Sequence, residues 1–260
     1  GGLRGIMGAG ANRMNKYTVG KATKGLCEYL KNEFAGEKSV VIAYDSRNNS
    51  KAFAECAAEV LCYNGIKTFL FEEIMPTPVL SFSVRYLNCN AGIVITASHN
   101  PKEYNGYKVY DKYGCQLVPQ YADKVISYIN NVKDIKSVKH MNLNMALSNG
   151  YLTYIGDEVL NSYISEVEKM AVYKEASDLK IVYTPLHGTG NIPVRKVLSD
   201  MSFDVSVVNE QAVADGNFIT VRSPNPEEKD ALNMALEQAK RANADLVIGT
   251  DPDCDRVGVG

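Results

Sequence analysis

The sequence predicts an α/β protein made of two similar units in tandem, each a mainly parallel sheet with crossover helices. Strand-like and helix-like segments alternate from residue 17 to residue 96, the pattern left by parallel strands joined through helices. A polar stretch of weak periodicity, about 133–150, then breaks the pattern with Asn142, Asn144, Ser148, Asn149 and Gly150. Beyond it the alternation restarts. The 260 residues suffice for two domains of ordinary size. Units 1–145 and 146–260 are therefore expected.

Each element follows from its local pattern. Residues 17–35 place Val19, Ala22, Leu26, Tyr29 and Leu30 at helical spacing. Ser39 to Tyr44 is a short β-branched run and reads as a buried strand. The alanine-rich segment 50–64 reads as a helix stopped by Gly65. Ile66 to Phe71 is the next strand, 78–88 a helix after Pro76 and Pro78, and Ala91 to Thr96 a third strand. A helix over 119–131 precedes the polar stretch. After it come helix 156–172, strand Leu179 to Tyr183, helix 190–200, strand Phe203 to Val208, helix 227–242 and strand Asp245 to Ile248.

Composition narrows the function. Apolar residues make up 45% of the chain, enough for real cores, and charged residues 22%, near the soluble average. A net charge of −2 gives no electrostatic reason to expect nucleic acid or an acidic membrane as partner. No apolar run approaches the roughly 20 residues of a membrane-spanning helix. The N-terminal Gly1-Gly2-Leu3-Arg4-Gly5 has no apolar signal core and no starting Met, which reads as a cut or processed chain. The six cysteines, Cys27, Cys56, Cys62, Cys89, Cys115 and Cys254, form no CxxC pair. Buried free thiols in a reducing cytoplasm are expected rather than disulfides.

Four residue groups carry chemistry. The first is Thr96-Ala97-Ser98-His99-Asn100-Pro101 with Asn105-Gly106-Tyr107-Lys108, which follows a strand. A serine hydroxyl is a poor nucleophile without a base, an electrophile or a metal nearby. In extended backbone adjacent side chains alternate, so His99 should not share the direction of Ser98, and a hydrolase triad is not expected. No GxSxG elbow is present either. A polar loop with free amides and a lysine suits a phosphate better than an acyl group. Taken alone, Ser98 reads as readily as a turn or cap residue.

The second group is Gly249-Thr250-Asp251-Pro252-Asp253-Cys254-Asp255-Arg256. Alternate positions of an extended loop can point to one side, so three carboxylates can converge. Clustered carboxylates repel unless a cation or protons intervene, and an all-oxygen set favours Mg²⁺, Mn²⁺ or Ca²⁺ over Zn²⁺. An EF-hand would require Gly where Arg256 stands. A solvated acidic turn is the plain alternative; Arg256 argues against it, because a guanidinium there suits a phosphate. In the third group, flanking glycines let Arg4 approach an anion closely, though by itself the segment reads first as a flexible terminus. Gly8-Ala9-Gly10 is no dinucleotide fingerprint, since position 13 is Arg and no strand precedes it. The fourth, Thr184-Pro185-Leu186-His187-Gly188-Thr189-Gly190, sits between strand and helix. Its amides could bind an anion, or it is simply a tight turn.

Together these residues resemble the α-D-phosphohexomutase superfamily, which includes phosphoglucomutases and phosphomannomutases. The Thr96–Pro101 segment looks like its phosphoserine loop, Gly249–Arg256 like its metal loop, and Gly2-Leu3-Arg4-Gly5 like its N-terminal arginine motif. The longer leader through Asn15 resembles the branch of bacterial glucose-type phosphoglucomutases and animal phosphopentomutase-like enzymes. The resemblance implies two tandem three-layer α/β/α domains with mixed, mainly parallel sheets. It also implies that this chain holds domains I and II of four. The third-domain Gly-Glu-Glu-Ser-Gly type motif and the fourth-domain phosphate clamp are absent, so the chain is expected to be inactive alone.

The resemblance further implies a sugar-phosphate mutase that interconverts 1-phosphates with 6- or 5-phosphates. Ser98 would carry the phosphoryl group, and a sugar bisphosphate would be the intermediate. Ser98, Asp251, Asp253 and Asp255 would hold one Mg²⁺. Arg4, Asn100 and Arg256 would contact phosphate or substrate. Lys108, and less directly His99, would handle the sugar hydroxyl proton; as a base Lys108 would need a depressed pKa. Two other classes stay open at this point: a non-catalytic metal- and phosphate-binding piece, and a phosphoserine-type phosphatase.

Overall fold

The computed structural model describes residues 2–172 and 178–260. Gly1, part of the glycine–arginine segment singled out above, lies outside the described residues. The chain opens on β1 (Gly2–Ile6), then α1 (Lys16–Glu33), β2 (Ser39–Tyr44), α2 (Ser50–Tyr63), β3 (Lys67–Phe71) and α3 (Thr77–Tyr86). β4 (Ala91–Ile95), β5 (Tyr104–Asp111), α4 (Pro119–Asn131), α5 (Leu143–Ser148), β6 (Leu152–Ile155) and α6 (Asp157–Lys169) follow. The second sheet is assembled from β7 (Lys180–Thr184), α7 (Asn191–Asp200), β8 (Asp204–Val207), α8 (Asn209–Ala212), α9 (Asn233–Ala242), β9 (Leu246–Thr250) and β10 (Val257–Val259).

Strand order is β1-β5-β4-β2-β3-β6 in the first sheet and β10-β9-β7-β8 in the second. Both are mixed and mainly parallel: β4, β2, β3 and β6 run together, as do β9, β7 and β8, while β5 and β10 run against them and β1 pairs antiparallel with β5. The α/β class and the mixed sheets are as expected.

Alternation along β2 explains the layering of the first unit. Val40, Ile42 and Tyr44 point to one face and share a core with α1, α2 and α4 through Leu26, Leu30, Leu61 and Val125. Val41 and Ala43 point to the other and pack with α3 and α6 through Val79, Leu80 and Leu160. Each such fully buried side chain contributes about 1.5–3 kcal/mol. The start of α1 is set by Asn15, whose side chain accepts from the Tyr17 and Thr18 amides while Thr18 closes the capping box. Gly25 lets α4 lie against α1: a Cβ there would stand 2.7 Å from Ile129 Cα.

Several elements depart from the expectation. β1 is an edge strand in register with β5, Arg4 opposite Gly106, rather than a flexible terminus. β5 hides in sequence because Asn105, Gly106 and Lys108 read as loop; all three are buried and paired. Gly106 is needed there, since a Cβ would meet the Thr96 carbonyl at 2.5 Å. β6 pairs in parallel with β3, so the first sheet runs on to Ile155, past the division expected at 145/146. The polar stretch before it folds back on α2 and α1: the Met141 amide donates to Glu59 O, and Val138 lies against Gly20. The helix expected over 227–242 begins at Asn233, behind a 3-10 turn at Lys229–Leu232.

Candidate active site

The loops after β4 and β9 meet between the two units. Ser98, just past β4, is buried and sits at φ +53°, in the left-handed region that L-residues rarely adopt. Its amide donates to Thr96 Oγ1 at 2.8 Å. Its hydroxyl donates to Asp251 Oδ2 at 2.6 Å, across 153 residues of sequence.

The same backbone turn corrects the expectation for His99. Alternation of neighbouring side chains holds only in extended backbone; at φ +53° the two turn together, and His99 Nδ1 lies 3.2 Å from Ser98 Oγ. The serine has one proton and gives it to Asp251, so it accepts from His99 Nδ1–H. In this arrangement the imidazole is a donor to the serine and not its base. Burial, then the nearby Arg256 and Arg4 charges, hold its pKa below the usual range.

The acid loop is a turn and not an extended strand. Asp251 Oδ1 accepts from the amides of Asp255 and Arg256, and the Cys254 amide donates to Asp251 O, with Cys254 at φ +55°. Wrapping around the first carboxylate brings ligand atoms of Asp251, Asp253 and Asp255 within 4.8 Å of one another. Burial and the neighbouring Asp253 and Asp255 charges hold Asp251 well above the ordinary carboxylate range. Burial also pushes Asp253 up, but Lys108 and the hydrogen bonds from Asp251, Lys108 and Thr77 together outweigh it and hold Asp253 below the ordinary range. Asp253 Oδ1 is buried without a hydrogen-bond partner. Three crowded carboxylates, one with an orphaned oxygen, fit a hard divalent cation.

The first unit supplies the counterparts. Lys108 on β5 places Nζ 2.9 Å from Asp253 Oδ2 and 3.4 Å from Asp255 Oδ2. Burial pulls its pKa down, but the two carboxylates outweigh burial and hold it above the ordinary lysine value. The depressed pKa that Lys108 would need to act as a base is thus opposed by its two carboxylate partners. Thr77, unforeseen, sits at the start of α3; its amide donates to Asp253 O and its hydroxyl to Asp253 Oδ2. The Pro76-Thr77-Pro78 punctuation was the only signal of it. Arg4 Nη1 donates to Asn100 Oδ1 at 2.9 Å, so two of the expected phosphate contacts pair with each other. Arg256 Nη1 donates to Glu227 Oε1 at 2.8 Å, in an exposed pair.

In the Thr184–Gly190 turn, the amides from Leu186 to Thr189 are taken up within the protein. Gly188 N donates to Pro185 O, Thr189 N to Pro252 O and His187 N to Gln211 O. The turn instead buttresses the acid loop: Thr189 Oγ1 also donates to Pro252 O. A Cβ on Gly188 would stand 2.4 Å from Pro252 Cα. All six cysteines are free, and four are buried; Cys254, inside the acid loop, is pushed up to about 12 by burial. No helix among the described residues is long and apolar enough to cross a membrane.

Comparison with known proteins shows the family. Residues 1–136 match the family model of phosphoglucomutase/phosphomannomutase alpha/beta/alpha domain I, and residues 161–260 that of domain II. A phosphoglucomutase of Staphylococcus saprophyticus is 41% identical over 258 residues, and one of Staphylococcus haemolyticus 43%. Each match covers 99% of this chain and 47% of the relative, so the chain spans about half the length of these curated relatives. A putative phosphomannomutase from Thermus thermophilus shares the fold at TM-score 0.80 and 24% identity, over 99% of this chain and 55% of that one. With the serine loop in the first matched domain and the acid loop in the second, the chain belongs to the phosphoglucomutase/phosphomannomutase family and carries its domains I and II.

Proposed function

We propose that the chain is the phosphate-carrying half of a magnesium-dependent sugar-phosphate mutase, with Ser98 as carrier. The observation that supports this most is the Ser98 hydroxyl hydrogen-bonded at 2.6 Å to Asp251, a member of the acid cluster on the other unit. A serine presented to a cation site, its hydroxyl hydrogen-bonded to a carboxylate of that site, suits phosphoryl transfer. That chemistry is mostly positioning and charge neutralisation. Ser98, Asp251, Asp253 and Asp255 would hold the ion. Bound there, Mg²⁺ supplies electron withdrawal from the transferring phosphorus and neutralises charge on its oxygens.

In the proposed cycle the Oγ–P bond of phosphoserine breaks and a bond from phosphorus to a sugar hydroxyl oxygen forms, giving a sugar bisphosphate. The hydroxyl proton passes through Lys108 or His99 to Ser98 Oγ, restoring the neutral hydroxyl seen here. The other sugar O–P bond of the bisphosphate then breaks as Ser98 Oγ bonds to that phosphorus, the serine proton passes back to the released sugar oxygen, and the isomerised monophosphate leaves. Lys108 serves as the proton carrier, since its two carboxylate partners keep it charged until a cation takes them over. Arg4, Asn100 and Arg256 line the approach and exchange their present partners for phosphate oxygens. The complete cycle is proposed for a protein of the relatives' length. The free thiols favour a reducing, cytoplasmic setting.

The test is the intact mass of the chain after incubation with glucose 1,6-bisphosphate and Mg²⁺, with Ser98→Ala alongside. One added phosphoryl group on the unaltered chain, and none on Ser98→Ala, is expected. Equal phosphorylation of both would sink the assignment. Turnover of glucose 1-phosphate by the chain alone is expected to be negligible.

A further inference from the structure

One charged side chain beside the serine loop has no part in the cycle above. Arg47 lies just past β2, and its side chain is completely buried. Nη1 donates to the carbonyls of Pro101 at 2.9 Å and Tyr104 at 3.2 Å. Nη2 donates to the carbonyls of Ser98 and Asn100. Four carbonyls from 98–104 thus converge on one guanidinium. Asp45 Oδ2 faces Nε at 3.4 Å and balances the charge. Only a planar fork of fixed donors can serve four acceptors in this way; a lysine ammonium offers three donors from one point. The loop needs such a clasp, because Ser98 at φ +53° is held in a conformation that costs energy unless its surroundings enforce it.

The second unit reaches the same guanidinium. The Phe218 ring lies 5.0 Å from Arg47 Cζ, within cation–π range. Gly216 lies so close to the first unit that a Cβ there would stand 2.4 Å from Asn48 N. Asn48 Nδ2 donates to Asn217 Oδ1 at 3.1 Å. This 213–221 loop is itself fixed by the buried His187. A carbonyl can only accept, so His187 Nδ1–H donates to Val213 O at 2.8 Å, and Thr220 Oγ1 donates to Nε2 at 2.8 Å. Gln211 completes the brace, accepting from Thr184 and donating to Thr220.

We propose that Arg47 is a positioning residue: it holds the 98–104 loop in the shape that aims Ser98 Oγ at Asp251. Through Phe218 it also makes that shape depend on docking of the second unit's 213–221 loop. The consequence for transfer rests on Ser98 being the phosphate carrier; the clasp itself does not.

The amides of Ser98, Asn100 and Tyr104 are all hydrogen-bonded within the loop and report its shape. Their hydrogen exchange is to be compared in the unaltered chain, Arg47→Lys and Phe218→Leu, alongside the rate at which Ser98 takes a phosphoryl group from glucose 1,6-bisphosphate. Arg47→Lys keeps a cation opposite Asp45 and so keeps the fold. In it the loop amides are expected to exchange roughly tenfold faster, the factor set by losing a charge-assisted hydrogen bond. The β2 amides of Val41 and Ile42 should be unchanged, and phosphorylation slower by a similar factor. Phe218→Leu should give the same pattern, weaker. Unchanged loop exchange in Arg47→Lys, or exchange accelerated equally in β2, overturns the proposal. A loosened loop with an unchanged phosphorylation rate overturns the positioning role. Loosening in Arg47→Lys without any in Phe218→Leu overturns the coupling to the second unit. If no protein is phosphorylated at Ser98, the carrier assignment fails while the exchange still decides the clasp.

Discussion

The six-stranded unit is covered on both faces of its sheet, and Leu26, Leu30, Leu61, Ile42, Ile93 and Ile95 are fully buried within it. The four-stranded unit has a smaller apolar cluster of Val182, Val208, Ala235, Ala239 and Val247. Its loop end is held by polar contacts instead. Tyr183 and Thr250 share a hydrogen bond of 2.8 Å, Thr189 grips Pro252 O, and a chain runs from Thr184 through Gln211 and Thr220 to His187. Hydrophobic burial is large but non-directional. Hydrogen bonds contribute only about 0.5–1.5 kcal/mol each but fix direction. The first unit is thus the stable platform that presents Ser98 and Lys108. The second sets the positions of three carboxylates with little apolar reserve.

Four measurements would break or sharpen this contrast. Leu26→Ala, in the fully buried side of α1, is expected to cost about 2–5 kcal/mol in denaturant unfolding. Mg²⁺ affinity at the acid cluster, read by calorimetry, should stay unchanged; a parallel loss would erase the distinction between platform and loop. Gly188→Ala forces a Cβ against Pro252 Cα, 2.4 Å away, and overpacking of this kind costs about 1–3 kcal/mol. Here the expected outcome is reversed: a smaller loss of stability and a clear loss of Mg²⁺ affinity. Thr189→Val removes one hydroxyl bond to Pro252 O, and about 0.5–1.5 kcal/mol should disappear, again with weaker Mg²⁺ binding.

The smallest effect is one of sequence in time. Burial pushes the Cys27 and Cys254 thiols up to about 12, so neither offers thiolate near neutral pH until its surroundings open. In rising denaturant at pH 8, Cys254 of the acid loop should react with a thiol reagent before Cys27 of α1. Simultaneous labelling would mean that the two units unfold as one.

Much of this was legible in the chain. The β-branched run at 39–44 and the alanine-rich run at 50–63 are spelled by residues whose burial follows from local pattern. Ser98 and the three aspartates stood out only in combination, through the resemblance of their two loops to one family, since a lone serine after a strand reads as readily as a turn residue. What escaped was written in residues that look like loop. Asn105, Gly106 and Lys108 form a buried strand because a polar strand is acceptable once its side chains find partners: Ser50 and the Asn48 carbonyl for Asn105, Asp253 for Lys108. β6 joined the first sheet because β3 exposes a free edge to it, which no local window records. The alternation rule failed at His99 because it presumes extended backbone, and Ser98 is not extended.

By itself, then, the sequence determined the α/β class and the order of most elements. Its side-chain chemistry also marked an acid cluster suited to a cation, and its resemblance to a family pointed to the serine proposed as phosphate carrier. The class and the acid cluster follow from short-range periodicity and side-chain chemistry. The tertiary structure alone decided which groups meet. Ser98 finds Asp251 across 153 residues, Lys108 is charged by Asp253 rather than freed as a base, and Thr77 enters the site unannounced. Arg47 works through carbonyls, which every residue possesses and no sequence distinguishes. Its role therefore becomes visible only once the fold has brought four of them to one guanidinium.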